Sequence, residues 1–183
     1  EHGGFGQAVA CYLGMWVDKV IVRMTGFTRW NNGGENFEQP FDMGKISMLW
    51  DYAELDPFND ASGGCESQLD WVIRCIEHEA MPNGLAPIAA RVLHGDAAAL
   101  TLATASVDCV VTDPPYFDMY AYADLSDMFY TWLKRGLHDV FPDMFATPQT
   151  PKAEEATALA HRHGGDMQKA EQHFTRKLAD SFK

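Results

Sequence analysis

The chain has 183 residues, of which 46% are hydrophobic and 22% are charged, as is usual for a soluble globular protein with one sizeable core. Its formal net charge of −12 argues against a dedicated nucleic-acid-binding surface, because such surfaces are usually basic. The sequence has no apolar run of about 18 residues that would span a membrane and no signal peptide, so we expect a cytoplasmic protein with no membrane partner.

The N-terminal part of the sequence predicts helices separated by irregular chain. Apolar residues at helical spacing over residues 7–24 predict a mostly buried helix. Glycine, asparagine and proline over residues 26–40 predict a loop. A second helix is predicted over residues 67–81, because its start at Ser67 resembles a capping box. We therefore interpret residues 1–84 as a mostly helical and irregular segment that forms a pocket wall or a target-recognition part.

The middle of the sequence changes to an alternating strand and helix pattern. Short apolar strands are predicted near residues 91–95 and 107–112, and an aromatic-rich helix is predicted over residues 122–137. This order indicates an α/β fold in which the strands are parallel and helices flank the sheet. Ligands bind such sheets at the carboxyl ends of the strands, where Gly95-Asp96 and residues 113–116 lie.

The C-terminal part predicts a polar loop over residues 147–166 and a surface amphipathic helix over residues 167–182. His161 and His163 are two residues apart and would point apart on a helix, so we predict no metal site there. None of the four cysteines forms a C-x-x-C pair, so free thiols are expected rather than disulfides or zinc ligands.

A rigid acidic corner follows the second predicted strand. It consists of Asp113, Pro114, Pro115 and Tyr116, which we call the DPPY corner. Proline locks φ, and the residue before a proline is pushed to extended geometry. The acid and the ring are therefore held in fixed directions, which indicates a positioned group; the alternative is a turn that simply ends the strand.

The DPPY corner after an apolar strand resembles the catalytic motif of amino-methyltransferases, which use S-adenosylmethionine to methylate exocyclic nitrogens. The wider sequence at residues 50–58, 113–137 and 150–155 resembles the large bacterial and archaeal adenine-specific DNA methylases that are described as zinc-ribbon-containing. The resemblance covers roughly residues 45–180. It implies a partial Rossmann-like methyltransferase sheet, with residues 85–183 as the catalytic portion.

The resemblance also implies a role for each residue of the corner. The carboxylate of Asp113 and the backbone carbonyl of Pro114 accept hydrogen bonds from the target amine, and Pro115 fixes the direction of that carbonyl. Tyr116 stacks on a base that has been flipped out of the duplex. Phe117 and Tyr120 are weaker candidates for the base pocket. An aspartate at the first motif position favours adenine N6 in DNA as the target.

The cofactor site is only partly represented in the sequence. By the same resemblance, Gly95 and Asp96 are cofactor-binding residues, and Asp96 accepts a hydrogen bond from the adenine amine of S-adenosylmethionine. A turn with a helix cap is the alternative for this pair. The family's Phe-x-Gly-x-Gly loop after a first strand is not found, since the glycines of residues 3–8 have no strand before them. We therefore expect a piece of a longer chain that is incomplete for activity without the missing parts or partner subunits.

Other functions stay open at this point. Methylation of cytosine N4, or of an amine in RNA or protein, would use the same chemistry, and a non-catalytic partner-binding module fits the acidic charge. The candidate phosphate contacts are dispersed, so we expect this part alone to bind DNA weakly. They are Arg29, Lys45, Arg74, Lys134, Arg135, Arg162, Arg176 and Lys177.

Overall fold

The computed structural model describes residues 2–42, 44–51, 54–60, 62–80 and 91–183. The chain divides by its contacts into two compact units. The first unit contains residues 1–83 and 122–152, and the second contains residues 84–121 and 153–183. Residues 122–152 therefore group with the N-terminal part, whereas the sequence assigned them to the catalytic portion. The predicted domain boundary near residue 84 lies outside the described residues.

Three helices form the framework of the first unit. Helix α1 contains residues His2–Ile21, α2 contains Cys65–Ala80 and α3 contains Tyr122–Leu137. Helix α1 packs against both α2 and α3. A Cβ atom at Gly14 of α1 would lie only 3.2 Å from a side-chain carbon of Leu133, so the missing side chain permits the close approach of α1 to α3.

All three helices of the first unit were predicted from periodicity, and α3 has the predicted bounds. Helix α2 begins two residues before Ser67, so Ser67 is not its N-cap. Instead, the Ser67 hydroxyl lies inside the first turn, where it donates to the carbonyl of Gly64 over 2.9 Å. The predicted capping box is therefore wrong in register, because serine also bonds favourably to a carbonyl three residues earlier.

The predicted loop of residues 26–40 contains a short antiparallel pair of strands. Strand β1 (Trp30–Asn31) pairs with β2 (Asn36–Phe37), and a second pair is formed by β3 (Phe41–Asp42) and β4 (Lys45–Ile46). The Asn31 carboxamide oxygen accepts the backbone N–H of Gly33 over 2.9 Å, which closes the first turn. Such asparagine-to-backbone bonds are a common way of stabilising turns.

A polar network ties the chain after α3 back to that helix. The Thr150 backbone N–H donates to one oxygen of Asp127 over 2.9 Å, and Lys152 Nζ donates to the other oxygen over 2.6 Å. The Thr150 hydroxyl lies 2.6 Å from Asp127 and 2.7 Å from the carbonyl oxygen of Ala123. The segment of residues 150–152, which carries part of the family resemblance, is therefore anchored on α3.

The second unit contains a short 3-10 helix at Ala160–His163 and helix α4 at Met167–Ser181. Helix α4 was predicted, and Asp166 caps it by accepting the N–H of Lys169 over 3.2 Å. Residues 91–120 run without strand pairing, and no two strands pair in parallel within the described ranges. The parallel sheet therefore stays a prediction. No helix in the described part of the chain is long and apolar enough to cross a bilayer.

Candidate active site

The DPPY corner lies in the second unit, where it runs without helix or strand pairing into a bend at residues 117–119. Asp113 is exposed, and no residue in the described part of the chain forms a hydrogen bond or an ion pair with its carboxylate. The two prolines that follow fix φ at about −65°. The Asp113 carboxylate is therefore accessible to a ligand, and the backbone that carries it has few alternative conformations.

Tyr116 lies beside Tyr120, with ring centroids 5.8 Å apart and planes inclined by 43°. The Tyr116 side chain is half-exposed, and Tyr120 is less exposed than its partner. The last residue of the corner is thus paired with a second aromatic ring. Rings in this arrangement offer a flat apolar surface to a planar ligand, because every nucleobase has a π-face that can stack.

Phe117 faces α4. Its ring is edge-on to the ring of Phe174, with centroids 5.2 Å apart and planes at 87°, and its backbone carbonyl accepts the N–H of Ala158 over 2.7 Å. Ala158 and its neighbour Thr157 are both buried. Phe117, the residue after the corner, is therefore anchored to a buried part of the chain. Its role in a base pocket stays a prediction.

Asp96, the predicted cofactor contact, begins a tight turn. One carboxylate oxygen accepts the backbone N–H of Ala98 over 2.9 Å, and the Asp96 carbonyl accepts the N–H of Ala99 over 3.0 Å. The hydrogen bond from Ala98, followed by the charge of Lys177, lowers the pKa of Asp96 below its ordinary value. Gly95 has no neighbour within 4 Å of the place where a Cβ would stand, so the approach to Asp96 is open on that side.

A lysine on α4 joins Asp96 to a second carboxylate. Lys177 Nζ lies 3.5 Å from the free oxygen of Asp96 and also donates to Glu154. The Lys177 side chain is 14% exposed, whereas the side chains of Asp96 and Glu154 are 49% and 72% exposed. The hydrogen bond to Glu154 raises the pKa of Lys177, so the lysine stays charged between the two acids.

Sequence reasoning missed these positioning contacts. It treated Lys177 only as a candidate phosphate contact, and 81 residues separate this lysine from Asp96. No local pattern links two positions so far apart along the chain. Two other candidate phosphate contacts are also paired with acids, since Arg29 bonds to Glu38 and Arg162 bonds to Glu155. The positive charge that remains for a polyanion is smaller than the residue count indicates.

The described residues contain no cluster of three or more histidine, cysteine or acidic side chains arranged for a metal ion. The second unit contains a stiff acidic corner, two adjacent tyrosine rings and an oriented aspartate. This set can accept hydrogen bonds from an amine and stack a planar group. A comparison of the chain with protein-family models, curated proteins and solved structures finds no significant match. The functional assignment therefore depends on the residues themselves.

Proposed function

We propose that the chain is the catalytic part of an S-adenosylmethionine-dependent methyltransferase that acts on the exocyclic amine of a flipped base, with adenine N6 in DNA as the preferred target. The observation that carries the proposal is the exposed carboxylate of Asp113 on a corner stiffened by two prolines, which ends in the half-exposed ring of Tyr116. A corner that only ended a strand would not require an aromatic ring and an acid held open to solvent.

The proposed chemistry depends on the geometry of the target amine. The lone pair of an exocyclic amine is delocalised into the base, so the amine is a poor nucleophile. Two acceptors aimed at its two N–H groups favour a tetrahedral nitrogen with a localised lone pair. Asp113 supplies one acceptor and the Pro114 carbonyl supplies the other, while Pro115 restricts the direction of that carbonyl. Positioning and electrostatics thus provide most of the rate enhancement.

The residues around Asp96 fit the adenine end of S-adenosylmethionine. The Asp96 carboxylate is half-exposed, its pKa is lowered by the Ala98 N–H and then by Lys177, and Gly95 leaves open space beside it. An ionised carboxylate accepts hydrogen bonds at several positions, so it can accept one more from an adenine amine. When bound, S-adenosylmethionine supplies an electrophilic methyl group. The chain's own contribution is to hold the adenine end and to orient the target amine.

DNA is the proposed macromolecular partner, and the cytoplasm is the proposed location. With a net charge of −12 and several basic residues already paired, we expect the binding of DNA to depend on further parts of the protein or on partner subunits. The base itself would be held by stacking on Tyr116, with Tyr120 supporting that ring.

The test is methyl transfer by the full-length protein that contains this chain, from labelled S-adenosylmethionine to DNA, followed by nucleoside analysis. We expect N6-methyladenine in the product and a loss of at least about 100-fold on Asp113→Ala, since one essential acceptor is removed. Asp118→Ala is the matched control, because Asp118 is an exposed acid just beyond the corner. An unchanged yield with Asp113→Ala would refute the assigned role. N4-methylcytosine as the product, or labelled RNA in a parallel reaction, would identify one of the alternative targets.

A second candidate is a non-catalytic module that binds a partner protein. It is favoured by the acidic charge and by the exposure of Val110 and Val111, which are 74% and 90% exposed. Exposed apolar side chains in series are more typical of an interface than of free surface. Calorimetry with S-adenosylmethionine separates the two candidates. Micromolar binding supports the methyltransferase, whereas the absence of both binding and methyl transfer in the full-length protein supports the module.

A further inference from the structure

One face of α4 supports both parts of the candidate active site. Phe174 and Lys177 are three residues apart on this helix, so their side chains lie on the same face. Phe174 contacts Phe117, which follows the DPPY corner, and Lys177 contacts Asp96. Both contacts arise within the second unit. A movement of α4 would therefore displace the DPPY corner and Asp96 together.

Lys177 has the geometry of a group that orients a carboxylate. Its ammonium lies 3.5 Å from one oxygen of Asp96, while the backbone N–H of Ala98 holds the other oxygen at 2.9 Å. Glu154 accepts a second hydrogen bond from the same ammonium, which fixes the position of a side chain that is otherwise flexible. Two constraints on opposite oxygens define the plane of the Asp96 carboxylate, and its remaining lone pairs stay available.

We propose that Lys177 is a positioning residue for the cofactor, which orients the Asp96 carboxylate so that its remaining lone pairs face the adenine amine of S-adenosylmethionine. This inference rests on the proposed function. Lys177 does not contact the transferred methyl group or the target amine in this scheme. Its loss should therefore weaken cofactor binding and leave the rate at saturating cofactor nearly unchanged.

The experiment measures the dissociation constant for S-adenosylmethionine by calorimetry, and KM and kcat for methyl transfer, with the full-length protein that contains this chain. We expect Lys177→Met to raise both the dissociation constant and KM about three- to tenfold, the scale of a partly exposed charge pair, with kcat within about twofold. Lys177→Arg should restore most of the affinity, because it keeps the charge and the donors. Lys169→Met is the control, since Lys169 is on the same helix and, among the described residues, pairs with the nearby Asp166.

A double-mutant cycle distinguishes positioning from a general effect on folding. If Lys177 acts through Asp96, the dissociation constants of Asp96→Asn and of Asp96→Asn with Lys177→Met should differ by less than about twofold. A purely structural role would give additive losses. Thermal unfolding of each variant checks that the second unit remains folded.

The outcomes separate this inference from the proposed function. If the unaltered chain binds the cofactor and Lys177→Met binds equally well, the positioning role is overturned and the methyltransferase assignment stands. Additive losses in the cycle overturn it as well. If the unaltered full-length protein shows neither binding nor methyl transfer, the proposed function fails and this inference fails with it.

Discussion

The ring of Phe174 lies edge-on to the ring of Phe117, with ring centroids 5.2 Å apart. The main chain of Phe117 is also held, because its carbonyl accepts the N–H of the buried Ala158. Side chain and backbone of the same residue are thus fixed by separate parts of the second unit. Since Phe117 directly follows the DPPY corner, these contacts limit how far Tyr116 and Asp113 can move.

Phe174→Ala should therefore lower methyl transfer as well as stability. An edge-to-face pair contributes about 0.5–1.5 kcal/mol beyond the burial of its area. We therefore expect the free energy of unfolding, measured in urea, to fall by about 1–2 kcal/mol. The methylation rate should fall more than the folded fraction does, because the corner becomes mobile. Phe182→Ala is the control, as Phe182 is 61% exposed at the end of α4. Equal losses of activity in the two variants would contradict the supporting role of Phe174.

Tyr116→Phe and Tyr116→Ala test whether the ring or the hydroxyl of Tyr116 matters. If the ring stacks on the flipped base, Tyr116→Phe should keep the rate within about threefold, since the π-face is retained. Tyr116→Ala should lose about tenfold to 100-fold, because stacking contributes about 1–3 kcal/mol per base. Both rates are measured as N6-methyladenine formed at saturating cofactor. A large loss of rate with Tyr116→Phe would show that methyl transfer depends on the hydroxyl rather than on stacking by the ring.

The helices were the most predictable part of the fold. Apolar residues recur at helical spacing along α1, α2 and α3, and the polar face of α4 is equally regular, so local periodicity was enough to identify all four. The start of α2 was misplaced because Ser67 can bond either as a cap or within the first turn. The short strand pair around Asn31 was missed, because pairs of two-residue strands carry almost no periodic signal.

The site was predictable only in its local parts. The DPPY corner could be recognised from the adjacent residues that build it. The link from Lys177 to Asp96 spans 81 residues, and the link from Lys152 to Asp127 spans 25, so neither leaves a trace in local sequence. The predicted strands are a different case from the corner. An apolar run indicates that a segment pairs with another strand, but it does not indicate which one.

Asp127 should stabilise the first unit through its bonds to Thr150 and Lys152. Burial acts to raise the pKa of Asp127, but the hydrogen bonds from Lys152 and Thr150 outweigh it, so the pKa is lowered. A lowered pKa means that the stabilisation is complete above about pH 4 and is lost as the pH falls through the folded-state pKa.

Asp127→Asn should therefore lower the free energy of unfolding by about 1–3 kcal/mol at pH 7, since hydrogen bonds to a charged group are lost. The difference from the unaltered chain should shrink as the pH falls below about 4, where the carboxyl becomes protonated. Urea unfolding at several pH values measures both effects. Asp143→Asn, at an exposed acid in a turn of the same unit, should change neither. A difference that is independent of pH would show that the charge of Asp127 is not involved.

The pKa of Asp18, in the same unit, is shifted in the opposite direction to that of Asp127. One of its carboxylate oxygens is buried without a hydrogen-bond partner among the described residues, and burial raises its pKa from 3.8 to about 6. The side chain borders a cavity of about 250 Å³. The other lining residues are Lys19, Val22, Arg23, Gln39, Gln68 and Phe129. Lys19 and Arg23 are the charged groups on this cavity, and neither compensates the cost of burying the Asp18 charge.

Because the folded-state pKa of Asp18 is raised, folding takes up a proton between about pH 4 and pH 6, and stability falls as the pH rises through that window. Asp18→Asn removes the charge at nearly constant volume. The pKa shift corresponds to at most about 3 kcal/mol, and partial exposure of Asp18 reduces the expected gain to about 1 kcal/mol at pH 8. At pH 3.5 or below the gain should largely disappear, because the carboxyl is then mostly protonated in both states.

Asp60→Asn, an exposed acid of the same unit, is the control for urea unfolding at the two pH values. A loss of stability with Asp18→Asn at pH 8 would mean that the charged carboxylate has a partner in the cavity.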